Sequence, residues 1–168
     1  MKKLLISFLV LIIPLSFCGC NKSDKVTAVT SGLVFDAETE YKENRFNYFV
    51  HIHSDGTTET ELLNNGESTG IKTVISKNIV TLSVSGLEKQ TTLTSLPDGI
   101  ILDFFATCFQ DAKKRDVKTI NDTFYTEGET DKYDYKIILG ATGLPIKIEE
   151  SNFGISVNIK NATLKSDG

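Results

Sequence analysis

The chain has 168 residues, 18 Lys and Arg against 22 Asp and Glu, a formal charge of -4, three cysteines and no tryptophan. An acidic chain whose only basic run is Lys113-Lys114-Arg115 makes a poor nucleic-acid binder, so that class of partner is excluded. Three cysteines, two of them within residues 18–20, do not provide a disulfide framework, and the fold must rest on an apolar core.

The amino terminus, MKKLLISFLVLIIPLSFCGC, runs from two lysines through an apolar stretch to small residues and cysteine, the pattern of an export signal. Its apolar part, residues 4–17, is shorter than the ~20 residues of a membrane-spanning helix, and Pro14 disfavours a span. The end of the segment, LSFCGC followed by NKSDK, resembles the lipobox of bacterial lipoproteins, with Cys20 after Gly19 as the residue to be lipidated and to become the new amino terminus. Phe17 and Cys18 depart from that pattern, which prefers an aliphatic and a small residue there. Loss of residues 1–19 as signal peptide removes two lysines and no acid, moving the charge to -6. More than one acyl chain anchors stably, so the expected location is the extracytoplasmic face of the cell membrane. Residues 20–31 then read as the lipidated N-terminus and a short polar tether, 32–164 as one domain, and 165–168 as a tail.

From Leu33 the apolar residues recur with period two, broken at short intervals by turn residues. LVFDAETEY, RFNYFVHIH, TETELL, GIKTVIS, IVTLSVS and KQTTLTS read in order as antiparallel strands. In the second, Phe46, Tyr48, Val50 and Ile52 share one face, and Arg45, Asn47, His51 and His53 share the other. After a helix follow DTFYTEG, KYDYKIILG, PIKIEES and GISVNIKNATL, making about ten strands.

The helix is SLPDGIILDFFATCFQDAKKR, residues 95–115. Ser95 or Asp98 can cap its start, Pro97 suits its first turn, and Lys113, Lys114 and Arg115 complement its terminal carbonyls. Ile100, Ile101, Leu102, Phe104, Phe105, Ala106, Cys108, Phe109 and Ala112 form an apolar arc of roughly 200°, about twice what a surface helix needs. A flat sheet would leave half of that arc in water. The fold class expected is therefore α+β, mostly β: a strongly curved antiparallel sheet with one main helix in its concave face. Asp103, Thr107, Gln110 and Asp111 would point out of the groove.

The order of elements, with GIKTVISKNIVTLSVSGLEKQTTLTSLPDGIILDFFATCFQDA and then YKIILGATGLPIKIEESNFGISVNIKN, resembles small envelope lipoproteins of the LolA-like, or lipoprotein-carrier, superfamily. Most telling is the strand, the TGLP turn at residues 142–145, and the strand resuming as IKIE. That resemblance implies a half-barrel whose apolar concavity receives acyl chains or bulky lipids. This chain has one helix where those carriers have several, so Ile101, Phe104, Phe105 and Phe109 either line a ligand site or plug it as core. No functional residue of the carriers can be matched here.

Catalytic and metal chemistry find little support in the pattern. There is no G-x-S-x-G elbow and no Gly-rich loop feeding a helix, Cys108 lies on the apolar arc, and most carboxylates alternate with apolar residues as the wet side of strands. His51 and His53 could supply two metal ligands, with Asp55, Glu59 or Glu61 near a third position, but their face reads as solvated surface. No enzyme, metal or cofactor is expected. The function expected is a membrane-anchored lipoprotein binding a lipid or other hydrophobic ligand between helix and sheet. The alternative is an interaction or sensor module for an envelope protein, with a fully packed core.

Overall fold

The structure, a computed structural model, describes residues 26–95 and 101–165, excepting the side chain of Leu102. The expected signal peptide, the Cys20 lipidation site, the first part of the tether, Pro97, Asp98, Ile100 and residues 166–168 lie outside the described residues.

Among the described residues, eleven strands form one sheet. In chain order they are β1 (Leu33–Tyr41), β2 (Asn44–Ile52), β3 (Thr58–Asn64), β4 (Glu67–Ser76), β5 (Ile79–Val84), β6 (Leu87–Thr92), β7 (Lys118–Ile120), β8 (Thr123–Glu129), β9 (Asp134–Leu139), β10 (Pro145–Glu150) and β11 (Ile155–Leu164). Between β6 and β7 the described residues form 3-10 turns at Leu93–Ser95 and Ile101–Asp103 and a helix, α1 (Phe104–Ala112). The order across the sheet is β6-β5-β4-β3-β2-β1-β11-β10-β9-β8-β7 and the pairings are antiparallel. Two meanders, β1–β6 and β7–β11, therefore join along a β1–β11 seam at the middle of the sheet.

Register carries the alternation coherently from strand to strand. Phe35 stands opposite Val50, which stands opposite Thr60, which stands opposite Thr73, and all four are buried. On the other arm Val157 faces Ile148 and Ile148 faces Ile137, again all buried. Intervening residues such as Glu38, Asn47 and Asn158 lie on the opposite, wetter face. One continuous apolar face results, as period two requires.

The helix proves that face to be concave. Ala106 packs with Ile75 of β4 and Val80 of β5, while Asp111 meets Tyr135 of β9. Strands β5 and β9 are seven steps apart in the sheet, which in a flat sheet would separate them by ~34 Å. One helix only ~10–12 Å across touches both arms, so the sheet wraps around it. The strongly curved sheet expected from the breadth of the apolar arc is observed, an open half-barrel around the helix. A nine-residue helix is too short to persist alone, and its burial is what keeps it formed.

Three details differ from the sequence reading. The short strand β7, at one edge, escapes the pattern because three exposed residues carry no alternation. The helix occupies Phe104–Ala112, with Asp103 rather than Ser95 or Asp98 at its N-cap, and Ser95 belongs to a 3-10 turn. Residues 26–31 do not hang free as a tether: the Val29 amide donates to the Gly143 carbonyl at 3.0 Å, and Ala28 and Val29 pack on the core. Gly143 sits at φ +81 within the TGLP turn, and a Cβ there would run into the Thr27 carbonyl. Both the backbone conformation and the docked strap thus require glycine at this position.

Candidate functional site

The hollow of the sheet divides into a filled half and an open half. In the filled half Phe104, Phe105 and Phe109 are each no more than 1% exposed, and Ile101 is 8% exposed. Phe105 meets Phe35 edge-on at 6.0 Å between ring centroids, Tyr48 at 6.1 Å and Phe104 at 5.5 Å. Phe109 lies 5.7 Å from Phe35, and Phe104 packs edge-on to Tyr133 at 5.2 Å. The four residues singled out in the sequence are thus brought into one cluster, and they plug the hollow as core. Cys108 is wholly buried among them, and that burial pushes its thiol pKa well up, which disfavours the thiolate form.

Of the polar edge expected to point out of the groove, Gln110 is exposed and Thr107 and Asp111 are partly so, whereas Asp103 is buried. Asp103 is 2% exposed, accepting a hydrogen bond from the Tyr133 hydroxyl at 2.6 Å and an ion pair from Lys132 at 2.9 Å. Burial first, and the Asp103 hydrogen bond second, hold the Tyr133 pKa far above its ordinary value, so its proton remains in place as the donor. Asp111 accepts from Tyr135 at 2.8 Å and pairs with Arg115 at 2.9 Å, while Gln110 donates to the Gly56 carbonyl at 3.3 Å. These contacts clamp both ends of the helix to the sheet. Burial presses the Asp111 carboxyl upward, but hydrogen bonds from Arg115 and Tyr135 outweigh it and the net pKa is lowered. Beneath this clamp lies Gly128 of β8, where a Cβ would collide with the Asp111 carboxylate and stand 2.8 Å from the Tyr135 hydroxyl.

The open half lies toward the β1–β2, β3–β4 and β5–β6 turns, beyond the reach of the helix. On the same concave face stand Leu62 of β3, Ile71 of β4, Leu82 and Val84 of β5, and Leu87 of β6, bordered by Phe46 and Tyr48 of β2, which pack on the core. They run from half-buried to exposed, Val84 at 42% and Leu87 at 80%. The alternation of Val80, Leu82 and Val84 was visible in the sequence; what hid the open face was the expected 21-residue helix, long enough on paper to cover it. Elsewhere a cleft of 430 Å³ is lined by Glu127, Glu129, Tyr135, Lys136, Glu149 and Glu150. Among the described residues no helix is long and apolar enough to cross a membrane.

On the convex face the histidine pair departs from a plain solvated surface. His51 is 7% exposed, its ring centroid is 3.7 Å from that of His53, and Glu59 stands directly across the ladder from His51. Asp55 instead caps its own turn, accepting from the Thr57 amide at 2.7 Å. Glu61 accepts a hydrogen bond from Ser68.

Fold and site together define a class: an open antiparallel half-barrel with a helical plug in its hollow and an uncovered apolar strip beside the plug. No family model matches the chain, and no curated protein does. Among solved structures, the crystal structure of the LolA superfamily protein NE2245 from Nitrosomonas europaea aligns with a TM-score of 0.46 at 9% identity, covering 81% of this chain and 86% of that one.

Proposed function

We propose that the protein is a non-enzymatic, lipid-anchored protein of the cell envelope that holds a lipid or other apolar ligand against the open half of its hollow. The single observation that carries this reading is the strip of Leu62, Ile71, Leu82, Val84 and Leu87, a concave apolar surface that α1 leaves half-buried to exposed. Concave, mostly apolar surfaces with few polar groups are where hydrophobic ligands gain the most from leaving water. The anchor rests on Cys20 and the apolar segment before it.

Full chain in detergent, titrated with a fluorescent fatty acid, should bind it saturably, and the double variant Leu82→Asp/Val84→Asp should weaken binding by at least ~10-fold, since two charges would be desolvated. Absence of saturable binding, or a double variant that binds as well as the parent, would refute the reading. A second reading, an interaction module for an envelope protein, is favoured by the solid packing of Phe104, Phe105 and Phe109, which leaves the filled half no room for a ligand. In that case crosslinking in native membranes recovers one dominant protein partner, and Leu82→Asp/Val84→Asp abolishes its capture.

A further inference from the structure

We propose that His51, His53 and Glu59 form a binding site for a divalent first-row transition metal of the Zn2+ class, on the face of the sheet opposite the helix. The ladder places these residues together. His51 is the penultimate residue of β2, and His53 follows two positions later on the same side, which stacks the rings 3.7 Å apart. Glu59 of β3 is the cross-strand partner of His51. One ligand atom from each of the three falls within 4.8 Å of the others. Four-coordinate Zn2+ holds its N and O ligands at about 2.0–2.2 Å, hence about 3.4 Å from one another, and side-chain rotation of ~1–1.5 Å closes the difference.

The surroundings hold these groups in place. The His53 amide donates to the Thr57 carbonyl at 2.8 Å and the His53 carbonyl accepts from the Gly56 amide at 3.0 Å, so the turn that carries the second imidazole is fixed at both ends. Glu59 turns one oxygen toward His53 Nε2, at 3.3 Å, and the other to Lys72 Nζ, at 2.7 Å. The lysine thus orients the carboxylate from behind and leaves one oxygen facing the imidazole, the arrangement by which outer groups position metal-ligating side chains. Two imidazoles and a carboxylate suit Zn2+ and its neighbours, whereas Ca2+ and Mg2+ take oxygen ligands. Three protein ligands leave the fourth position to water or to a group from outside the chain.

The test is calorimetric titration of full chain carrying Cys18→Ser and Cys20→Ser, which removes the two amino-terminal thiols as competing ligands, with Zn2+ and in parallel with Mg2+. One equivalent of Zn2+ should bind, Mg2+ should not, and His53→Ala and Glu59→Gln should each lower the Zn2+ affinity by at least ~10-fold. Because His51 is buried and its replacement can cost folding, the half-exposed His53 and Glu59 carry the test. Excess Zn2+ at ~100 times the dissociation constant should also raise Tm by about 5–10 °C in the parent and by much less in the two variants. No Zn2+ binding, or binding unchanged in both variants, overturns the assignment. Since the site faces away from the hollow, Zn2+ binding should survive Leu82→Asp/Val84→Asp, so it can fail or succeed independently of the apolar-ligand reading.

Discussion

Replacing Phe105 by alanine tests whether the helix is a structural plug. The side chain is 1% exposed and meets three rings, on β1, β2 and α1 itself. Returning a buried phenyl group to water forfeits roughly 2–3 kcal/mol of transfer free energy. Removing it leaves ~100 Å³ which, half relaxed, adds roughly 1 kcal/mol of cavity cost. The expected loss is therefore about 3–4 kcal/mol, a large part of the roughly 5–15 kcal/mol that holds a domain together. In urea, with a slope near 2 kcal/mol/M, the midpoint should fall by about 1.5–2 M with the slope unchanged. Far-UV circular dichroism and the fluorescence of the five tyrosines can follow the transition, since the chain has no tryptophan. Phe49, on the convex face and 38% exposed, supplies the control, and Phe49→Ala should cost less than ~1 kcal/mol. A Phe105→Ala chain within 1 kcal/mol of the parent would mean that the helix is not packed into the hollow.

Two further outcomes concern the clamp at the helix end. Gly128→Val should destabilise by about 1–3 kcal/mol, because its Cβ occupies the place of the Asp111 carboxylate; urea unfolding of Gly128→Val in an Asp111→Ala background should show a smaller penalty. Asp111→Asn should be less stable than the parent at pH 7, where the parent carboxylate is charged and paired with Arg115. A carboxyl whose pKa is lowered by folding contributes its stability above the unfolded value near 4 and loses it as pH falls through the lower folded value, so the gap between thermal melts of the two chains should narrow as pH is taken below that unfolded value.

Much of the fold was legible because the residues of one strand answer only to period two, and ten segments from LVFDAETEY onward kept it. The curvature was legible too, through the surplus apolar arc of the helix. What the sequence concealed were contacts made across long separations. Nothing local distinguishes Asp103 and Asp111, which bind Tyr133 and Tyr135 from across the hollow, from solvated helix acids. Nor does the spacing of His51 and His53 reveal that His51 is buried or that Glu59 stands opposite it, because register is a property of the paired strands. The open apolar strip was missed for a different reason: the helix boundary was placed too generously, and a shorter helix covers less sheet.

The seam between the two meanders has a consequence for how the chain is made. β1 is the first strand to leave the ribosome or the export channel and β11 the last, yet they pair side by side, with Lys160 donating to Glu38 across 122 residues of sequence. Every other pairing joins strands consecutive in the chain, so each meander can zip as it emerges. The strand at the centre of the finished sheet therefore spends the whole of synthesis as an exposed edge, with Phe35 and Ala37 waiting on its apolar face. The last ten-residue strand, Ile155–Leu164, closes that edge, and only with its arrival do the two arms meet around the helix.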